Sequence, residues 1–185
     1  MSSTRLYWFS GIGLLLGGLF ALIGTLVQGV NANPLGSAWV PTTVLVVIGE
    51  MLILAGLPGM YARQASQAGT LGLVGFILFF FSGLMQGVGG GVINLFFLPW
   101  LLQNAPRLAA AGPPTIGIFF ILAGLLSAVG AVLLGIATIR AGIFSRSAAI
   151  LLLIGLSWFG YTLFSDRRSP AAQSTSVGTE SGARV

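Results

Sequence analysis

The sequence predicts an all-α polytopic membrane protein: a bundle of five transmembrane helices with a short interfacial or re-entrant segment after the third. Three observations predict this class. Charged residues make up only 6% of the 185-residue chain and hydrophobic residues 56%, whereas soluble domains carry about 25% charged residues. The mean hydropathy is +1.00. Apolar runs of membrane-spanning length recur along the chain, separated by breaks rich in Pro, Gly, Asn and Ser.

The first span is predicted at residues 6–28, where Arg5 and Trp8 mark its start and the turn-rich sequence VNANPLGS follows it. A secretory signal peptide is the alternative, because Val30-Asn31-Ala32 resembles a cleavage site. The apolar run is longer than the usual signal-peptide core of about 7–15 residues, so a span is favoured.

The second and third spans are predicted at residues 41–60 and 70–90. Pro41 suits the first turn of a helix, whereas a Leu-Pro-Gly sequence around Pro58 favours a helix end. At 1.5 Å per residue, 20 residues cover about 30 Å, which is the thickness of the hydrocarbon core. The polar sequence QASQAG is predicted to form the turn between the two spans.

Glycine spacing indicates where helices pack closely. Gly83, Gly87 and Gly91 recur every four residues, so they form a stripe of bare backbone on one helix face. Gly13 and Gly17 repeat this spacing in the first span. We expect these five glycines to lie at helix contacts.

Residues 92–103, VINLFFLPWLLQ, are apolar but too short to cross a bilayer. They are predicted to form an interfacial or re-entrant segment, and a protruding end of the third helix is the alternative. The fourth and fifth spans are predicted at residues 115–139 and 147–165. Residues 166–185 lack large apolar side chains other than Val, so they are predicted to form a disordered polar tail.

Arginine and aromatic placement predicts how the spans lie in the membrane. Interface anchors are expected at these aromatic residues: Trp8, Trp39, Tyr61, Trp100 and Tyr161. An N-terminus inside the cell places these arginines in the cytoplasm: Arg5, Arg63, Arg140 and Arg146. Arg107, Arg167 and Arg168 then lie outside. The cytoplasmic excess is small, and it favours a cytoplasmic N-terminus and an extracytoplasmic C-terminus.

An internal duplication is one interpretation of the glycines in the first and fourth spans. At an offset of 106 residues, the sequence aligns Gly11, Gly18, Gly24 and Gly29 with Gly117, Gly124, Gly130 and Gly135. Inverted repeats of this kind occur in many secondary transporters. Chance alignment among 28 glycines is the alternative, because helix packing alone produces such ladders.

Composition excludes several kinds of chemistry. The chain has no Cys and no His, so thiolate sites and imidazole ligation of zinc or haem are excluded, and no metal or other cofactor is expected. Without His, Cys or Lys, the candidate bases are three carboxylates, of which only Glu50 lies in an apolar run, and we therefore expect no enzymatic activity. The net charge of +5 comes from scattered arginines, so no nucleic-acid-binding face is expected.

Glu50 is the one acid within a predicted span. A charged carboxylate at the bilayer centre costs about 3 kcal/mol on insertion scales, so the neutral form is favoured there. Its neighbours one turn away on the same helix are apolar, and partners must come from other helices. Residues at similar depth form a candidate polar cluster with Glu50: Ser82, Gln86, Ser127 and Ser157. The cluster is either a proton or cation site or a neutral hydrogen-bonded contact between helices.

Two stretches resemble small uncharacterised multi-pass inner-membrane proteins of bacteria, a domain family of unknown function. The stretches are GLPGMYARQASQAGTLGLVGF, residues 56–76, and IRAGIFSRSAAILLLIG, residues 139–155. The resemblance extends over residues 6–164 and implies a bacterial inner-membrane location without implying an activity. Family members often carry a His near the ends of the first two spans. This chain has none, so no ligand role follows for those positions.

Two functions remain open from the sequence. The leading expectation is a structural or interaction protein, an accessory subunit of a membrane complex that uses its glycine stripes and its interfacial aromatic segment as contact surfaces. The expected partners are the lipid bilayer and other membrane subunits or further copies of the chain, without nucleic acid. The alternative is a small transporter or proton-coupled conduit that uses Glu50.

Overall fold

The computed structural model describes residues 3–111 and 114–143. Every regular element in these two ranges is helical, so the predicted all-α class is confirmed. The helical stretches that are long and apolar enough to cross a membrane are Arg5–Val30, Trp39–Asn104 and Thr115–Ala141. The predicted fifth span, residues 147–165, and the predicted tail, residues 166–185, lie outside the described residues.

Helix α1, Ser3–Val30, begins and ends a few residues beyond the predicted first span. A short polar turn follows. The Asn33 side-chain oxygen accepts a hydrogen bond from the backbone N–H of Leu35 at 3.0 Å, and the Asn33 carbonyl accepts one from Gly36 at 2.9 Å. Asn commonly forms turns of this kind. The chain then enters the next helix at Trp39.

Gly69 divides the long helical stretch in two. Its backbone angles, φ 59° and ψ −162°, lie in a region that only glycine readily adopts. Residues 39–68 form helix α2, and residues 70–104 form α3. The ring of Tyr61 stacks on that of Phe76 with 4.7 Å between centroids, so the two helices run antiparallel as a hairpin. Each is long enough to cross a membrane, so the described residues contain four helices of membrane-spanning length.

The predicted end of the second span at residue 60 is wrong. Helix α2 continues through the residues that were predicted to form a turn. It passes through Pro58 and the polar residues beyond it to Ala68. The Pro58 side chain is exposed on the outside of the helix, whereas Leu57 and Gly59 on either side are buried. Packing therefore holds the helix together across the proline, as is common in membrane helices. The turn between α2 and α3 therefore consists of one residue, Gly69.

Helix α3 contains two π-helical segments, Leu84–Gly89 and Ile93–Phe97, and then continues as Leu98–Asn104. Residues 92–103 are thus the continuous end of α3, which corrects the predicted separate interfacial or re-entrant segment. The helix continues through Pro99. Before the proline, hydrogen bonds span five residues instead of four, so the missing N–H of Pro99 affects the carbonyl of Asn94. The short helix α4, Pro106–Ala111, and helix α5, Pro114–Ala141, follow.

The four long helices form a row in the order α1, α2, α3 and α5, with each antiparallel to the one before. Glycines bring the backbones into contact. A Cβ built on Gly49 of α2 would lie 2.6 Å from the backbone nitrogen of Ala21 on α1. Between α3 and α5, a Cβ built on Gly75 would lie 2.5 Å from the backbone nitrogen of Leu134. No side chain fits at either position.

The five glycines expected at helix contacts all face α2. Gly13 and Gly17 approach it from α1, next to the carbonyls of Leu52 and Gly49. The α3 stripe approaches it from the other side, where Gly83, Gly87 and Gly91 lie against Leu54, Glu50 and Val47. These glycines are therefore used within the chain, which corrects the expectation that they form a surface for other subunits.

The glycines aligned as an internal repeat are not used equivalently. Gly24 of α1 packs on α2, the helix that follows it, next to Val46. Gly130 of α5 packs on α3, which precedes it, with a built Cβ 2.5 Å from the backbone nitrogen of Phe79. Side chains added at Gly11 or Gly117 would meet nothing within 4 Å. This packing favours chance alignment among the described residues.

Candidate functional site

Helix α2 presents different residues to its two neighbours. Gly49 and Gly56 face α1, where side chains built on them would collide with the α1 backbone. Val47, Glu50 and Leu54 face α3, spaced by three and four residues as one helical stripe requires. Glu50 thus lies in the α2–α3 contact, although it directly follows a glycine that belongs to the α1–α2 contact.

The Glu50 side chain lies along the backbone of α3 at Gly87. A Cβ built on Gly87 would be 2.6 Å from Glu50 Cβ, 3.0 Å from Cγ and 3.4 Å from Oε2. The absence of a side chain at Gly87 therefore creates the space that Glu50 occupies. No hydrogen bond or ion pair joins the carboxyl group to another of the described residues.

Gln86 directly precedes Gly87 but is directed to the opposite neighbour of α3. Its Nε2 donates a hydrogen bond to the backbone carbonyl of Ala123 on α5 at 3.1 Å. Its Oε1 is buried and has no hydrogen-bond partner. At this level of α3, Gln86 contacts α5 and Gly87 contacts α2. The side-chain oxygen of Gln86 is left as a buried acceptor without a donor.

Neither of the two described serines of the predicted cluster has a hydrogen bond to the Glu50 carboxyl group. Ser82 is 1% exposed, and its hydroxyl donates to the carbonyl of Phe79 on its own helix at 2.8 Å. Ser127 of α5 is 9% exposed. It lies between the α5 residues that contact Phe79 and Gln86, so it belongs to the α3–α5 contact. Ser157 lies outside the described residues.

Polar contacts between helices lie at one end of the helix row, and we call this level the polar boundary. Gln28 Nε2 on α1 donates to the Thr43 hydroxyl on α2 at 2.8 Å. At nearly the same level, the Trp39 indole N–H donates to the Asn94 carbonyl on α3 at 2.8 Å. Arg63 lies 20 residues beyond Thr43 along α2, about 30 Å of helix, which matches the hydrocarbon core. Glu50 lies seven residues beyond Thr43 on α2, about 10 Å of helix from the polar boundary.

The Trp39 bond depends on an irregularity that the sequence did not indicate by itself. The N–H of Leu98 donates to the carbonyl of Ile93, five residues back. The next residue, Pro99, has no N–H to continue this register, so the carbonyl of Asn94 has no donor within its helix. The Trp39 indole supplies that donor. In a sequence, a proline five residues after a polar residue near the interface would be the signal for a carbonyl that lacks its donor.

The aromatic residues expected at the interface have different environments. Trp8 and Trp100 are 64% and 58% exposed, as lipid-facing or interfacial side chains would be. Trp39 is held by its hydrogen bond to Asn94. Tyr61 stacks on Phe76 inside the hairpin, so it contributes to helix packing. Tyr161 lies outside the described residues.

Gln64, the first residue of the predicted turn QASQAG, is a buried polar residue of α2. It is 0% exposed, and neither of its amide atoms has a hydrogen-bond partner. It follows Leu57 and Tyr61 on the α2 stripe that faces α3. Only the continuation of α2 beyond residue 60 brings it into the helix row.

Two polar groups of the candidate site thus have no hydrogen-bond partner among the described residues. The Glu50 carboxyl group lies in the α2–α3 contact, and the Gln86 amide oxygen lies on the α5 side of α3. Within residues 3–111 and 114–143, no three His, Cys, Asp or Glu side chains come together as a metal site. No family model, curated protein or solved structure matches the chain. The apolar helices show a membrane protein, and the function has to be argued from the site and the surface.

Proposed function

We propose that this membrane protein is an interaction subunit of a larger membrane complex, without catalytic chemistry of its own. The observation that carries the proposal is the end of α3. Asn94 lies at the polar boundary, and α3 continues for ten residues beyond it to Asn104. At helical rise this is roughly 15 Å, more than the depth of the headgroup layer on one side. We call residues 95–111 the projecting segment.

The projecting segment exposes large apolar side chains, beside three exposed polar residues, Gln103, Asn104 and Arg107. Phe96 is 66% exposed, Trp100 is 58% exposed and Leu108, on α4, is 64% exposed. Exposed aromatic groups are typical of protein interaction sites, where they supply most of the binding energy. Arg107 is the one charged residue of the segment. The expected partner therefore has an apolar surface with a nearby carboxylate.

Orientation follows from the arginines. Arg5 at the start of α1, Arg63 near the end of α2 and Arg140 near the end of α5 lie at the same end of the antiparallel row. The positive-inside bias favours the cytoplasm for that end and so the opposite side for the projecting segment. The resemblance to bacterial inner-membrane proteins supports a plasma-membrane location. We therefore propose an extracytoplasmic or membrane-embedded partner.

Photo-crosslinking in native membranes tests the proposal. A photoreactive phenylalanine derivative replaces Phe96 or Trp100 in the full chain, and Leu22, a lipid-exposed residue in mid-α1, is the matched control position. We expect both projecting positions to capture the same partner protein, and Leu22 to capture none. Capture of a second copy would indicate self-association instead. Crosslinks to lipid alone at all three positions would contradict an interaction role.

Transport through Glu50 is a second candidate, supported by the carboxyl group that has no partner among the described residues. A carboxyl group within a membrane commonly marks an ion or proton pathway. Proton flux into liposomes that contain wild type or Glu50→Gln tests it. Wild-type flux no greater than that of empty liposomes would exclude this function, whatever the crosslinking shows.

A further inference from the structure

Glu50 is packed along part of its side chain and partly exposed as a whole residue. Its Cβ, Cγ and Oε2 lie 2.6, 3.0 and 3.4 Å from a Cβ built on Gly87, so the carboxyl oxygen is the farthest of the three from that point of α3. Leu54, four residues along the same stripe, is 7% exposed, and Gly87 is buried. Glu50 therefore lies at the edge of the α2–α3 contact, where a further helix can approach its carboxyl group.

The position of Glu50 around α2 identifies this edge. An α-helix turns by about 100° per residue. On that basis Glu50 lies between Gly49, which faces α1, and Val47, which faces α3. The exposed residues Met51 and Ile48 are on the far side of Val47. Glu50 thus borders the groove between α1 and α3, on the side of α2 away from that exposed stripe.

Basic residues of the described part are too far away to pair with this carboxyl group. Arg63, the basic residue of α2, lies 13 residues from Glu50, which is about 20 Å of helix. Arg5 and Arg140 are at the same end of the row as Arg63, and Arg107 lies beyond the end of α3. The stripe glycines that face Glu50 from α3 have no side chain to offer. Any cation that pairs with Glu50 therefore comes from outside the described residues.

An acid at this depth gains much from a partner of opposite charge. Glu50 lies about 10 Å of helix from the polar boundary. A charged side chain within hydrocarbon costs about 3 kcal/mol on insertion scales, and ionisable side chains in membranes commonly pair with one another. A Lys or Arg side chain supplies both the opposite charge and strong hydrogen bonds to a carboxylate. Its long apolar stem also suits a position inside the membrane.

We propose that Glu50 binds a transmembrane helix of the partner subunit through a Lys or Arg in that helix. This inference rests on the proposed function, since it specifies the membrane segment of the same partner. The basic residue lies about seven residues, or about 10 Å, from the end of the partner helix on the side of the projecting segment. The partner then presents a cation to Glu50 within the membrane and a carboxylate to Arg107 outside it. The two opposite pairs fix the orientation of the partner.

Model helices test the pairing without knowledge of the natural partner. A helix of about 20 leucines, with flanking arginines that fix its orientation, is co-expressed with the full chain in bacterial cells. One version carries Lys about seven residues from its extracytoplasmic end. The matched versions carry Leu or Gln at that position, or Lys at the same distance from the cytoplasmic end. Resonance energy transfer between fluorophores fused to the cytoplasmic ends measures association.

We expect the extracytoplasmic Lys helix to associate with wild type about tenfold more tightly than the Leu helix, which corresponds to about 1.4 kcal/mol. The gain should be lost in Glu50→Gln and kept in Glu50→Asp, which retains the charge. Ser82→Ala is the matched control, because this hydroxyl is bonded to its own helix, and it should keep the whole gain. The helix with a cytoplasmic Lys should associate no better than the Leu helix.

Two results with the model helices would overturn the pairing. Equal association of the Lys and Leu helices would show that Glu50 attracts no cation. An equal gain from the Gln helix would show that a neutral Glu50 forms an ordinary hydrogen bond between helices, without charge pairing.

The natural partner gives a separate check. A partner captured by the projecting segment should carry Lys or Arg at the stated depth, and Glu50→Gln should reduce its co-purification about tenfold. Glu50→Lys combined with an acid at the partner's basic position should restore it. A captured partner without such a residue would overturn this inference and leave the interaction role intact. Crosslinks to lipid alone, together with a tenfold gain for the Lys helix, would contradict the role of the projecting segment and support the pairing at Glu50.

Discussion

The side chain of Glu50 lies on the bare backbone of Gly87, with its Cβ 2.6 Å from where a Gly87 Cβ would be. Gly87→Ala should therefore displace Glu50 and separate α2 from α3, with a loss of about 1–3 kcal/mol in unfolding free energy. Denaturation in mixed micelles measures the change. Gly117→Ala is the control, because an added Cβ meets nothing within 4 Å there. Equal stabilities of the two variants would contradict this contact.

The α1–α2 contact should tolerate an added methyl group even less. A Cβ at Gly49 would lie 2.6 Å from the Ala21 nitrogen and 2.7 Å from the Gly17 carbonyl, and backbone atoms cannot rotate away. We expect Gly49→Ala to lower the unfolding free energy by at least as much as Gly87→Ala, about 2–3 kcal/mol. Gly18→Ala on α1 has open space and should leave stability unchanged or higher. Thermal unfolding in detergent compares the two, and similar midpoints would argue against the contact.

Trp39 and Pro99 should be coupled through the carbonyl of Asn94. Trp39→Phe leaves that carbonyl without its donor and should cost about 1–3 kcal/mol. In a Pro99→Ala background the new N–H can bond this carbonyl, so the same substitution should cost less. A double-mutant cycle of unfolding free energies measures the coupling. Additive effects would show that Pro99 does not determine the need for the Trp39 bond.

The single-residue turn should depend on glycine for backbone reasons alone. Nothing lies within 4 Å of a Cβ built on Gly69, but its φ of 59° and ψ of −162° are strained for alanine. We expect Gly69→Ala to cost about 1–3 kcal/mol. Gly11→Ala, an open position in a regular helix, is the control. A Gly69→Ala variant as stable as Gly11→Ala would mean that the turn relaxes without cost.

Gln64 should be replaceable by an apolar residue. Its amide is buried, and neither polar atom has a hydrogen-bond partner. Burying such a group costs about 1–3 kcal/mol, so Gln64→Leu should raise the unfolding free energy by roughly 1 kcal/mol. Gln67→Leu, at an exposed position three residues on, should have little effect. A clear loss of stability in Gln64→Leu would instead show that water or an undescribed part of the chain bonds the amide.

Patterns that repeat along a helix predicted much of this fold. Hydropathy located α1 to within a few residues of Ser3–Val30, and the four-residue glycine spacing predicted the stripe that faces α2. Break signals were less reliable. Pro58 and Pro99 both lie inside helices, since tertiary packing and π-helical register compensate for the missing N–H in each case. For this reason, proline positions predicted neither where α2 ends nor that residues 92–103 continue α3.

The candidate site could be predicted only in part. Apolar context identified Glu50 as the acid within a span, but estimated depth could not show which face each polar residue occupies. Ser82 and Gln86 are on α3, yet their hydrogen bonds go to Phe79 of α3 itself and Ala123 of α5. The direction of the Gln86 side chain towards α5 and the π-helical backbone around it have no signal in one sequence.

The row arrangement has a consequence for how the protein is made. Each described crossing helix packs mainly on the one synthesised before it, so contacts can form in the order in which the ribosome delivers them, at roughly 5–20 residues per second. The α1–α2 contact needs nothing beyond Gly59. The one-residue turn at Gly69 then places α3 directly against α2, with no flexible loop between the two helices. Insertion into the bilayer can thus proceed helix by helix.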